Sequence, residues 1–243
     1  MKTFLFLCVF HVIGDYILQW RKMAQNKKPF NKYFIGHALL YALSMAVVFL
    51  CAPFFNALVA WLILSLSHML IDFVRCKIDL KYTNNHSVQV ITFCVDQFLH
   101  LACIFICYWF IMRSQPSLLT NTLFLQKWFR IALGYIVILC VIWKPAEILI
   151  SKVLDTFSVS ANPATEKALK AGAYIGFLER VIVVSLVLLS ATSAVGFVLT
   201  AKSIARYKQF EEQSFTERYL VGTLLSVGIA LLAVLLVPKI YAF

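Results

Sequence analysis

The strongest constraint on this chain is the run from Ala57 to Val74, apolar for long enough to cross a bilayer yet carrying His68 and Asp72 one helical turn apart. A membrane-crossing helix takes about 20 mostly apolar residues. An imidazole and a carboxylate at that depth are costly unless each finds a partner, so ionisable groups inside a span read as functional. Residues four apart on a helix share a face, and neutral imidazole with carboxylate is a common ligand set for zinc and related divalent ions. The spacing therefore predicts a metal ion as the shared partner. A histidine that simply bonds a carboxylate to hold helices together is the plainer alternative.

The same character runs through all 243 residues: 62% are hydrophobic and only 14% charged, with a mean hydropathy of +0.85. Soluble domains carry about 25% charged residues. The expected fold is all-α, a polytopic transmembrane bundle of about seven helices, with spans near residues 4–20, 34–52, 55–74, 88–112, 128–150, 173–200 and 219–241. The first segment begins like a signal peptide, but the apolar run continues through His11 and Asp15 with no small-x-small cleavage site, so it reads as a retained span. Seven cysteines include no Cys-x-x-Cys pair and six lie in apolar runs, which predicts that all are reduced. The formal charge of +11 is spread over short connections. That distribution suits membrane topology and anionic lipid headgroups, and it argues against nucleic acid as a partner.

Loop charges set an orientation. The first, third and fifth connections hold eleven basic residues, the second none, and the fourth and sixth about five. The positive-inside rule then places the amino terminus outside and the carboxyl terminus in the cytoplasm of a bacterial inner membrane. On that topology Asp15, His37, His68, Asp72, Asp96 and His100 fall in one leaflet, with His11 a turn deeper. Polar side chains scattered independently over four helices have no reason to share a depth, so their convergence predicts one site.

The first and third spans also repeat each other. His11-x3-Asp15 and His68-x3-Asp72 are each followed by a basic loop and a further helix bearing ligand-type residues, His37 in one case and Asp96 with His100 in the other. This predicts a duplicated hairpin, residues 1–52 and 55–112, forming a four-helix metal-site half (1–112) beside a three-helix supporting half (113–243). Four histidines and three carboxylates suffice for one or two divalent ions, zinc first and manganese or iron behind it. Asp15 or Asp96, if not spent on the metal, is the candidate general base. Gln19, one turn beyond Asp15, is a candidate to orient substrate.

The later half offers less chemistry. Asn162-Pro163 has the form of a helix start, and Gly172-x3-Gly176 offers a face for close helix packing. Glu179 and Arg180 enter the sixth span together, with Lys144 and Glu147 as expected mates. They read either as a structural ion-pair cluster or, through Lys144, Arg180 and Glu179, as a grip on a substrate phosphate or carboxylate.

The motifs His11-x3-Asp15-Tyr16-x-Leu18-Gln19-x3-Met23-Ala24-x2-Lys27, His37, His68-x3-Asp72 and Asp96-Gln97-x2-His100 resemble an uncharacterised bacterial multi-pass membrane family, a domain of unknown function often encoded beside SatD-type proteins. Gly176-Phe177-Leu178-Glu179-Arg180 and Lys202-Ser203-Ile204-Ala205-Arg206 resemble its longer members. A more distant similarity, confined to the His-x3-Asp patterns, is to YdjM-like membrane proteins, which implies metal-dependent hydrolysis by analogy alone.

The expectation is thus a metal-dependent hydrolase acting at the cytoplasmic leaflet on a lipid or lipid-linked substrate, phosphorylated ones among the candidates, surrounded by membrane lipids and with room for a homo-oligomer. A transporter or sensor of divalent ions or protons is the alternative. A structural protein whose polar network fixes helix packing is the third reading.

Overall fold

The computed structural model describes residues 2–113, 122–123, 125–157 and 166–241, and the side chains of these except 166–170 and 236–241. Among the described residues the fold is all-α, with no strand. It comprises α1 (Lys2–Val12), running into a π turn (Ile13–Ile17), α2 (Arg21–Asn26), α3 (Lys32–Met45), α4 (Val48–Cys51), α5 (Phe54–Lys81) and α6 (His86–Cys107), which ends in a second π turn (Tyr108–Met112). After these come α7 (Lys127–Ile142), α8 (Lys144–Thr156), α9 (Glu166–Leu188), α10 (Thr192–Ala205) and α11 (Gln213–Tyr241). Six stretches are long and apolar enough to cross a membrane: Lys32–Cys51, Phe54–Lys81, His86–Met112, Lys127–Thr156, Ala171–Leu188 and Gln213–Leu235. They make a polytopic bundle, as the composition predicts, with six such stretches among the described residues where seven spans were expected; Thr192–Ala205 is a shorter apolar helix, and the expected span 4–20 is not among the six. The expected helix start at Asn162-Pro163 lies outside the described residues.

The chain forms two compact units, Met1–Cys140 and Val141–Phe243. The division falls after most of α7, whereas the sequence reading drew it after residue 112. In the first unit polarity is inverted relative to a soluble protein. Leu39, Leu43, Leu70 and Phe98 are more than 60% exposed, while His37, His68, Asp96 and His100 are at most 2% exposed. In lipid this is the favoured arrangement, because apolar side chains lose nothing by facing hydrocarbon while polar groups must pair inside. Small residues bring the helices close enough to do so: Ala57 and Ala60 on α5 are fully buried beside Leu7, Tyr41 and Ile104.

Local chemistry sets the helix boundaries. Asn31 caps α3, its side-chain oxygen accepting from the backbone N–H groups of Tyr33 and Phe34. Just before it, Lys28-Pro29-Phe30-Asn31 forms a tight turn closed by Asn31 N–H to the Lys28 carbonyl at 3.1 Å, with Phe30 at φ 60°. That is glycine's usual place in a type II turn. The Phe30 ring lies 4.9 Å from that of Phe73 and 6.0 Å from that of Phe34, and these contacts offset the backbone cost.

In the second unit the expected span 173–200 is two helices. After Leu188 the chain turns through Ser190 at φ 60°, with Ala191 N–H bonded to the Leu186 carbonyl and Ser190 N–H to that of Val187. These are the paired bonds of a Schellman stop, with serine where glycine is usual, so apolar periodicity continues past a true helix end. Nor does the Gly172/Gly176 face serve close helix packing. Among the described residues nothing outside its own helix backbone lies within 4 Å of a Cβ built at Gly172, and the nearest atom to a Cβ at Gly176 is Arg180 Nη1 at 3.3 Å.

Arg180 is 3% exposed. Between α7 and α8 the helix breaks at Trp143, ahead of Pro145, which has no N–H to give. Arg180 Nε donates to the Ile142 carbonyl at this break at 2.6 Å, and Nη1 donates to Ser226 Oγ at 3.2 Å. The guanidinium thus supplies a buried carbonyl that no helix N–H reaches. Removing hydrogen bonds of this charged kind costs about 1.5–3 kcal/mol each. Arg180→Leu is expected to lower the thermal midpoint of the detergent-purified protein markedly while leaving metal content per folded molecule unchanged. Calorimetry and elemental analysis on the same sample check both parts.

Candidate metal centre

The residues that gather in the first unit come from α1 and its π turn, α3, α5 and α6. His11, Asp15, His37, His68, Asp72, Asp96 and His100 all lie between 0% and 5% exposed. On α5 and α6 the His/Asp pairs sit one turn apart on the buried face. On α1 the geometry differs, because Asp15 lies inside the π turn, closed by Leu18 N–H to the Ile13 carbonyl at 2.9 Å. Such single π turns widen a helix locally and are frequent at functional sites. Two contacts hold it. Ser44 Oγ donates to the Phe10 carbonyl at 2.6 Å, and Gly14 leaves no room for a side chain against Tyr41 and Ser44.

His37 is at the centre. Its Nε2 lies 3.1 Å from His68 Nε2, 3.2 Å from Asp15 Oδ1 and 3.8 Å from Asp72 Oδ2. Ligand atoms on a tetrahedral zinc ion with bonds near 2.0–2.1 Å stand about 3.3 Å apart, so the first two separations match tetrahedral edges. The Tyr41 ring stacks on His68 at 3.5 Å and fixes its plane, and its hydroxyl pairs with His11 Nδ1 at 3.1 Å. His100 lies near His11 and His68, with ring centroids 5.2 Å and 4.5 Å away.

Two sets of side chains bring ligand atoms within 4.8 Å of one another: His11, Asp15 and His100, and Asp15, His37 and His68. Asp15 belongs to both. Its Oδ1 faces His37 and its Oδ2 accepts from Gln97 Nε2 at 3.1 Å. Both ring nitrogens of His100, Nδ1 of His37 and of His68, and Asp96 Oδ1 are buried with no hydrogen-bond partner among the described residues. Buried polar groups are rarely left this way, and a cation held among them is one remedy.

The other two carboxylates are occupied. Lys27 Nζ donates to both oxygens of Asp72 at 2.8 Å, and Arg75 Nη1 donates to Asp96 Oδ2 at 2.8 Å. The residues whose ligand atoms converge are His11, Asp15, His37, His68 and His100, with Asp72 bonded to Lys27 through both oxygens and Asp96 to Arg75 through one. Gln97 links the parts, donating also to Asp96 Oδ2 at 2.9 Å and standing 3.4 Å from His11 Nε2. Gln19, with its amide turned to satisfy both neighbours, donates to the Asp15 carbonyl at 3.2 Å and accepts from Lys27 Nζ at 2.9 Å.

Lys144, Glu179 and Arg180 lie in the second unit. Lys144 pairs with Glu147 at 2.9 Å and Glu179 with Lys202 at 2.7 Å, and Arg180 serves the helix break. Sequence reasoning left Lys27 and Arg75 among loop charges and gave Tyr41 and Gln97 no role. The signal for Lys27 and Gln97 was present in the motifs that hold them. Tyr41, four residues after His37, shares its helix face. All seven cysteines are free.

Fold and cluster together define a class: multi-pass helical membrane proteins with a buried histidine–carboxylate centre. The chain belongs to the family described as "Protein of unknown function (DUF3307)", which matches residues 3–129 and so takes in every residue of the cluster. No curated protein and no solved structure matches the chain.

Proposed function

We propose that the cluster binds one or two divalent ions, zinc first, and that the protein is a metal-dependent hydrolase of a lipid or lipid-linked substrate. The observation that carries the reading is the sharing of Asp15 between two three-residue ligand sets, in which His37, His68 and His100 are buried with unpartnered ring nitrogens. A divalent ion held there supplies Lewis acidity and an activated water near neutral pH. Around it, Asp96 offers a buried Oδ1 as proton acceptor while Arg75 and Gln97 fix its other oxygen. Burial of the cluster among membrane-length helices favours a substrate that dissolves in the bilayer. The bias of basic residues toward alternate loops supports a bacterial inner membrane, the amino terminus outside and the site in the cytoplasmic leaflet.

The test is elemental analysis of detergent-purified protein after incubation with zinc, manganese and iron and removal of excess. One or two equivalents are expected, with occupancy reduced but not abolished in His68→Ala. Protein that stays metal-free overturns the reading. A second reading, passage of protons or divalent ions, draws on the chain of contacts from Asp72 through His37 and Asp15 to Gln97 and Asp96. Ion or proton flux into proteoliposomes, abolished in Asp15→Asn, would establish it in place of hydrolysis.

A further inference from the structure

The two cations beside the centre carry information about its substrate. Lys27 and Arg75 are 11% and 21% exposed, so each is largely withdrawn from solvent, and each lies 2.8 Å from a carboxylate that is at most 4% exposed. With imidazoles neutral, the three buried carboxylates and these two cations leave one net negative charge. One divalent ion reverses this to one net positive charge, and two ions raise it to three. Asp79 does not restore the balance. It stands 3.6 Å from Arg75 at 30% exposure and also accepts from Thr92 Oγ1, which places it at the wetter edge. A centre that becomes positive on loading, in a low-dielectric surround, favours an anion over a neutral ester or amide.

The groups available to receive that anion suit a phosphoryl group. Arg75 presents a planar guanidinium and Lys27 a compact ammonium, the two side chains most used for phosphate oxygens. Tyr16, on the π turn between Asp15 and Ile17, has a buried hydroxyl with no hydrogen-bond partner among the described residues. We infer that the centre binds a phosphoryl group, monoester or diester, gripped by Lys27 and Arg75 against the bound metal. This rests on the metal reading above, and it moves the anion grip from Lys144 and Arg180 to Lys27 and Arg75.

The experiment uses cobalt-loaded full-length protein, whose visible absorption bands report the coordination sphere. It follows those bands on titration with inorganic phosphate, then in nanodiscs of phosphatidylcholine with and without dioleoyl phosphatidate. Expected is a saturable band shift with phosphate, phosphatidate or both, and affinity weakened at least tenfold in Lys27→Met and in Arg75→Lys. Arg75→Lys keeps a cation on Asp96, and gel filtration and circular dichroism confirm that each variant is folded. A response to phosphatidate but not phosphate identifies a lipid headgroup as the source, and the converse identifies a soluble phosphate compound. Bands that neither ligand moves overturn this inference while leaving the metal centre standing. A response undiminished in both variants overturns the assignment to Lys27 and Arg75. Absence of any cobalt bands overturns the metal reading and this inference together.

Discussion

Asp15→Asn is expected to abolish divalent-metal binding, with affinity falling by more than about 100-fold, the upper end of what loss of an outer hydrogen-bond partner alone costs a metal site. The replacement conserves volume in a buried position, and the helix-to-helix contact through Gln97 persists on one oxygen. Because Asp15 is common to both ligand sets, its loss should remove every ion at once. His100→Ala and His68→Ala each touch one set, so each should leave partial occupancy. Isothermal titration with zinc, alongside elemental analysis, separates the cases. Equal residual occupancy in all three variants would show that Asp15 is not shared.

Gly14→Ala is the second large effect. A Cβ there would stand 3.0 Å from Tyr41 Cδ2 and 3.1 Å from Ser44 Cβ, in a core where Tyr41 is 1% exposed. Overpacking of this kind costs about 1–3 kcal/mol. Both neighbours belong to the site's scaffold: Tyr41 is stacked on His68, and Ser44 holds the Phe10 carbonyl. The variant should therefore lose thermal stability and metal affinity together. Ser44→Gly in the same chain should restore part of the stability by making room. Gly36→Ala is the control, since its Cβ would meet only the flexible tip of Met23 at 3.4 Å, and its midpoint should barely move.

Much of the centre was legible in the sequence because polar residues inside apolar helices are few and cannot be explained by exposure. His-x3-Asp spacing put each pair on one face, and shared depth joined the pairs. The ranking among them was not legible. Asp72 and Asp96 carry the same motif signature as Asp15, yet Lys27 and Arg75 occupy them, and both cations belong to segments that topology rules treat as anonymous positive charge. The helix end at Leu188 was hidden for a different reason: its stop is written in backbone geometry at Ser190, which hydropathy does not register. Arg180 read either as part of an ion-pair cluster or as a ligand-binding charge because the Ile142 carbonyl it satisfies is left open by a helix break at Trp143, far from it in the chain, that hydropathy does not register.

The π turn at Ile13–Ile17 bears on how two like-spaced motifs, His11-x3-Asp15 and His68-x3-Asp72, come to differ. Two copies spelled alike, placed around an approximate axis, would present two equivalent carboxylates and no reason to prefer either. Closing one turn with an extra residue changes the phase of Asp15 relative to His11, and Asp15 belongs to both ligand sets where Asp72 is bonded to Lys27. Symmetry in the text is thereby converted into division of labour in space.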